Sequence, residues 1–290
     1  MRSVLPRIAL IFLVVGVGGC ARKADTAPPL VTPSATVTPA DAAIGSPIEL
    51  KLRFVVAPGA RFDQDYMLFV HFMDTDRELM WTDDHQPPVP TSQWKADSTI
   101  EYSRDVFIPK FPYVGDTRVE VGLVSPKTGE RVAMAGDNKG QRSIQVASFN
   151  LRLQSDNLFV VFKDGWQDTE TSSEGVGVEW QWSKKEGTLA FRNPGRDAVF
   201  YLQADQPARV GPQQVEVRIG SAVVDRFTLE PGGRELRKTP IAKAQFGDGE
   251  TVEIVVAVDK TFVPALLPAL GSTDSRELGI RVFRAFVQPL

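Results

Sequence analysis

The densest set of groups able to do chemistry is Asp74, Asp76, Glu78, Asp83, Asp84 and His85. Carboxylates two residues apart in a loop are hard oxygen donors of the kind that Ca²⁺ gathers in sets of about six to eight. His85 would add a nitrogen suited to zinc. The run has neither the central glycine nor the closing glutamate of a dedicated calcium loop. It is therefore read as a polar hairpin whose Asp side chains cap turns, with no metal or cofactor assigned. His71 stands in the alternation Met67, Phe69, His71, Met73 and is read as a core or cross-strand histidine.

Three other residues carry the binding expectations. Trp166, directly after Gly165 at a turn, is either an open platform on which a sugar ring stacks or an ordinary packing residue. In Asp274-Ser275-Arg276-Glu277, Asp274 and Arg276 either grip sugar hydroxyls or order a loop through an ion pair. Trp166, Asp274 and Arg276 are thus the candidate ligand-binding residues. Trp94 is a second platform candidate or a plug at one end of a sandwich, while Val178, Trp180 and Trp182 share one strand face that is read as core. No catalytic residue is assigned. The sequence has no His-Glu-x-x-His, no Gly-x-Ser-x-Gly and no Gly-x-x-x-x-Gly-Lys, and no carboxylate pair stands out as placed for glycoside hydrolysis.

The single cysteine, Cys20, closes a segment with its own pattern. Arg2 and Arg7 give a positive start, Ile8 to Val17 give a short apolar run, and two glycines follow. That is the layout of a signal peptide, and the run is too short for the ~20 apolar residues of a membrane span. The ending Val17-Gly18-Gly19-Cys20 resembles the lipobox of bacterial lipoproteins. The resemblance implies that Cys20 is acylated and becomes the first residue of a chain anchored in the bilayer. It also implies an outer-membrane, periplasm-facing address where the host has such a membrane, because Ala21 and not an aspartate follows. Several acyl chains would make that attachment stable.

These residues need a scaffold, and the pattern around them is all-β. Residues 1–19 are the signal peptide, and residues 20–40 the lipidated cysteine with a flexible tether rich in Ala, Pro, Thr and Ser. An immunoglobulin-like β-sandwich is expected over 41–149 and a jelly-roll-like β-sandwich over 150–290. The first rests on period-two runs such as Ile48, Leu50, Leu52 and Phe54, with further strands at Tyr66–Met73, Glu101–Ile108 and Arg118–Ser125. The second rests on eight strand-like runs from Leu158–Phe162 to Leu278–Val287, separated by Gly and Pro turns. The net charge of −3 and the 24% of charged residues argue against nucleic acid as a partner.

His71-Phe72-Met73-Asp74 through Trp94, with Val121-Gly122-Leu123 and Thr128-Gly129-Glu130-Arg131, resembles a sandwich module of bacterial envelope proteins that also accompanies membrane glycosyltransferases. The second half, with Gly165-Trp166, Trp180-Gln181-Trp182-Ser183, Val258 to Pro264 and Asp274 to Gly279, resembles the carbohydrate-binding-like domain found with those enzymes. The resemblance implies a non-enzymatic envelope lipoprotein that binds or scaffolds, with glycan or an envelope protein as partner. The alternatives are an envelope polysaccharide hydrolase and a structural lipoprotein that braces a protein complex.

Overall fold

A computed structural model describes residues 27–109, 113–154, 158–172 and 178–290 of the chain. The signal segment and Cys20 lie outside the described residues. The first nine strands are β1 (Val31–Thr38), β2 (Asp41–Ala43), β3 (Pro47–Val56), β4 (Met67–Met73), β5 (Leu79–Thr82), β6 (Thr99–Phe107), β7 (Gly115–Val124), β8 (Asp137–Asn138) and β9 (Ile144–Arg152). Period-two burial sets their faces: in β3, Ile48, Leu50, Leu52 and Phe54 are wholly buried while Glu49, Lys51 and Arg53 face water. Two sheets result, β1-β3-β6 and β2-β9-β7-β4-β5, with β8 on β9. The edge strand crosses from one sheet to the other between β1 and β2, and β2 then runs parallel to β9. This is the strand order of an immunoglobulin-like sandwich.

The expected tether is shorter than the composition implied. Val31–Thr38 is a full strand paired with β3 from Val31↔Val56 to Thr38↔Glu49. Its small residues hide an alternation in which Val31, Pro33 and Val37 face inward and Thr32, Ser34, Thr36 and Thr38 outward. The sandwich also extends beyond 149, because β9 continues to Arg152.

The remaining strands are β10 (Val161–Phe162), β11 (Glu170–Thr171), β12 (Glu179–Trp182), β13 (Glu186–Arg192), β14 (Ala198–Asp205), β15 (Gln213–Ile219), β16 (Ala222–Leu229), β17 (Glu235–Ile241), β18 (Thr251–Val258) and β19 (Arg281–Pro289). They form the sheets β10-β13-β18-β15-β16 and β11-β12-β19-β14-β17. Without the short outer strands β10 and β11, the interleaved orders β13-β18-β15-β16 and β12-β19-β14-β17 are those of a jelly roll. Leu189, Phe200, Val217, Ile254, Val256 and Ile280 fill the space between the sheets. At the open side Arg237 forks onto Asp225 at 2.7 and 2.8 Å, and the Thr239 hydroxyl donates to the same carboxylate, tying β17 to β16. Among the described residues no helix is long and apolar enough to cross a membrane.

The two sandwiches meet where the outer face of the β12-β19-β14-β17 sheet abuts β6. Phe107 packs edge-on against Tyr201 and Phe286, with centroids 6.1 and 6.5 Å apart. Beside them Lys238 reaches Asp105 at 2.5 Å and Glu49 at 3.9 Å. Burial, with the fields of Asp105 and Glu49, pushes the Tyr201 hydroxyl up to about 12.

Within the first core Phe54 lies 5.1 Å from Trp94 and 6.3 Å from Tyr102, centroid to centroid. Truncating a wholly buried phenylalanine removes its transfer energy and leaves a cavity. Phe54→Ala should lower stability by about 3–5 kcal/mol, read as a shift of the urea-unfolding transition.

Candidate functional site

The structure gives the residues that the sequence singles out partners of their own. Trp166 does not stand open as a platform: its Nε1 donates to the Thr188 carbonyl at 2.8 Å, and its ring meets Phe162 edge-on at 4.8 Å. The ring also lies flat against β13, where a Cβ on Gly187 would sit 2.5 Å from Trp166 Cε2. Only glycine permits that approach, so Trp166 is a packing residue of the second core. Arg276 is held by Asp274 at 2.6 Å and by Glu170 at 2.7 Å, and Trp180 Nε1 donates to that same Glu170. The hydrogen bonds of Arg276 keep the Asp274 carboxyl below the usual carboxylate range. This cluster ties the loop before β19 to β11, with the Arg276 guanidinium already taken up by two carboxylates.

The acidic hairpin is likewise built for structure. The Asp74 carboxylate accepts from the backbone N–H of Asp76 and of Glu78, which closes the turn. Asp83 receives both arms of Arg104 at 2.5 and 2.8 Å. The nearly buried His85 places Nδ1 2.6 Å from the Asp83 carbonyl and Nε2 2.9 Å from the Tyr102 hydroxyl. A carbonyl only accepts, so Nδ1 carries the proton and Nε2 accepts from Tyr102. Burial holds His85 below its usual pKa, which favours that neutral form. Among the described residues no three His, Cys, Asp or Glu side chains come together as a metal site. One Ser-x-x-Lys spacing occurs, Ser92 to Lys95, on an exposed single turn where the Ser92 side chain bonds Asp65.

Trp182 is buried as a core residue would be, but it and the half-buried Trp180 lie outside the cluster that fills the space between the sheets. Trp182 pairs across the ladder with Arg281, and Arg281 with Asp205, so these side chains share the outer face of the sheet. Trp182 is covered there by Phe262, at 5.9 Å, and Trp180 is half-buried beside Phe283. Arg281 lies over both indoles and over Phe283, and forks onto Asp205 at 2.7 and 2.8 Å.

This aromatic and arginine-bearing face leads into a cleft of about 620 Å³ between the sandwiches. Trp81, Arg104 and Phe107 form one wall, and Gln203, Phe283, Arg284 and Arg234 the other. A bulge between Gln203 and Ala204 lets Phe283 and Arg284 both leave the sheet on its outer side. Arg234 stacks on Phe283 with its Cζ 3.6 Å from the ring centroid, and Arg284 has its Cζ 5.6 Å from the Phe107 centroid. Elsewhere on this sandwich Arg237, Arg276 and Arg281 each fork onto carboxylates. Arg234 and Arg284 instead meet aromatic rings, and burial lowers the pKa of both, with the charge of Arg234 adding to the effect on Arg284. The nearly buried Trp81 has an Nε1 donor with no hydrogen-bond partner, a state that costs about 1–3 kcal/mol. A larger groove of about 910 Å³ crosses one end of the first sandwich, but its Arg131 stacks on Phe69 at 4.4 Å and donates to Gln141. The sequence signal for the cleft is the run Arg281-Val-Phe-Arg-Ala-Phe-Val287. It puts arginine and phenylalanine on a face where an open sheet carries small polar residues.

No protein-family profile and no curated protein matches the sequence. Among solved structures, the chain is similar to the alkylpurine DNA glycosylase AlkC of Pseudomonas fluorescens bound to DNA containing an abasic site analog. The identity is 19% and the TM-score 0.29, over 43% of this chain and 31% of that one. It is similar also to the secreted serine protease VesC of Vibrio cholerae at 12% identity and TM-score 0.27, over 89% of this chain and 51% of that one. The chain thus spans about a third and about half of these two proteins.

Trp166→Ala should cost about 3–5 kcal/mol, the usual range for truncating a packed tryptophan. Chemical denaturation measures it, and an unchanged transition would return Trp166 to the role of an open platform.

Proposed function

We propose that the chain is a non-enzymatic lipoprotein of the bacterial envelope, held to the bilayer through acylated Cys20, whose two sandwiches form a binding module for glycan. The anchor is supported by the order of charge, apolar run, small residues and cysteine in Arg2 to Cys20. Ala21 directly after the cysteine, in place of an aspartate, favours the outer membrane on its periplasmic side where the host has one. The observation that carries the binding reading is the inter-sandwich cleft, where Phe283 and Trp81 line one space with the Arg234 and Arg284 guanidiniums. Saccharides offer apolar ring faces and a fringe of hydroxyls. A site that recognises them combines aromatic surface with fixed polar groups.

Two measurements test the two halves of the reading. In a bacterial host fed labelled palmitate, the wild-type chain should take up label and sediment with membranes, while Cys20→Ala should do neither. A Cys20→Ala chain that still carries label would overturn the anchor. On a glycan array the full chain in detergent should bind saccharide, and Phe283→Ala, which removes the ring on which Arg234 rests and part of the apolar wall, should weaken that binding about tenfold. Binding unchanged by Phe283→Ala would move the site off the cleft.

A further inference from the structure

We propose that the ligand of the inter-sandwich cleft is an acidic saccharide, its carboxylate gripped by Arg284 and Arg234. This deepens the glycan reading and rests on it. The argument begins with what these two guanidiniums lack. Arg104, Arg237, Arg276 and Arg281 are each matched to a carboxylate at 2.5–2.8 Å. Arg234 and Arg284 hold no such partner among the described residues and face aromatic rings instead. Stacking fixes a guanidinium by its face and leaves its N–H edge available, which is the edge that forks onto a carboxylate.

The positions of the two groups reinforce each other. Arg284 sits in the partly desolvated floor beside Gln203 and feels the positive charge of Arg234, which stands at the exposed rim. A partly desolvated guanidinium with a second cation near it is relieved by an anion that reaches both. The nearby acidic groups do not supply it: Asp83 is taken by Arg104, Asp105 by Lys238 and Asp205, whose field acts on Arg234, by the fork of Arg281, while Glu179 is exposed and acts on Arg284 only through its field. Phe283, with the edge of Trp81, whose ring is stacked on Phe72 in the first core, gives the rest of the cleft an apolar lining that a bare anion hole lacks. A saccharide bearing a carboxylate meets both requirements together.

Calorimetric titration of the full chain in detergent with hexagalacturonate and with neutral maltohexaose tests the proposal. Hexagalacturonate should bind more tightly than maltohexaose and weaken as salt rises. Arg284→Gln and Arg234→Gln should each raise its Kd about tenfold or more, the effect of losing a charge-assisted pair. Thermal transitions of the two variants confirm folding, and Arg234→Gln, at the exposed rim, carries the test should Arg284→Gln fail to fold. Maltohexaose bound as tightly as hexagalacturonate, or hexagalacturonate bound equally by wild type and both variants, would overturn the acidic ligand and leave the glycan reading standing. Binding of neither saccharide would overturn both.

Discussion

The seating of Phe107 against Tyr201 and Phe286 sets the geometry on which the rest of the site depends. An outer sheet face that bears Tyr201 and Phe286 is costly to leave in water, and the end of β6 covers it. The contact is small, and the Lys238 link to Asp105 and Glu49 adds direction more than energy. Covering this face only in part has a consequence. Where Phe107 touches, the sheet is closed; one step along β19, at Arg284 and Phe283, the same face is open and becomes one wall of the cleft.

The arginines of the second sandwich sort by what they complete. Arg237 on Asp225 closes the side of the jelly roll, Arg281 on Asp205 locks β19 beside the end of β14, and Arg276 on Asp274 and Glu170 fixes the loop that feeds β19. Each is a fork with two or more hydrogen bonds, and each is partly shielded from water, so these pairs order their segments more firmly than surface lysines would. They also make β19 and its approach rigid. A binding wall built on a strand pinned at its start and paired on both edges keeps its side chains in place before any ligand arrives, which lowers the ordering cost of binding.

Fold class was legible because burial alternates with residue number, and no tertiary knowledge is needed to see Ile48, Leu50, Leu52 and Phe54 on one side of a strand. What stayed hidden has physical causes. β1 is built from threonine, serine, alanine and valine, so its period-two pattern has little hydrophobic contrast, and composition made it look like tether. β17 carries charges and Pro240, features tolerated because it is the edge of its sheet, where a missing N–H breaks no ladder. For Trp180 and Trp182 the alternation was read correctly and the face was not. Which face is inside depends on the register with β19, where Trp182 lies opposite Arg281 and Gln181 opposite Val282. The cleft was out of reach for the same reason, since it joins residues such as Trp81 and Arg284 that only the docking of two separate sandwiches brings together.

The early start of β1 also changes how the proposed anchor would work. A lipidated Cys20 would be joined to the first ordered strand at Val31 by about ten residues, which at full extension reach ~35 Å. β1 is paired along its whole length with β3. The cleft lies at the far end of β6 from the Val31 end of that ladder, because Val31 pairs with Val56, Val55 with Thr99, and Phe107 closes the opposite end beside Pro47. An anchor on one end of the first sandwich and a binding cleft at the other would hold the ligand site off the lipid surface by the length of a strand, a separation that the fold itself supplies.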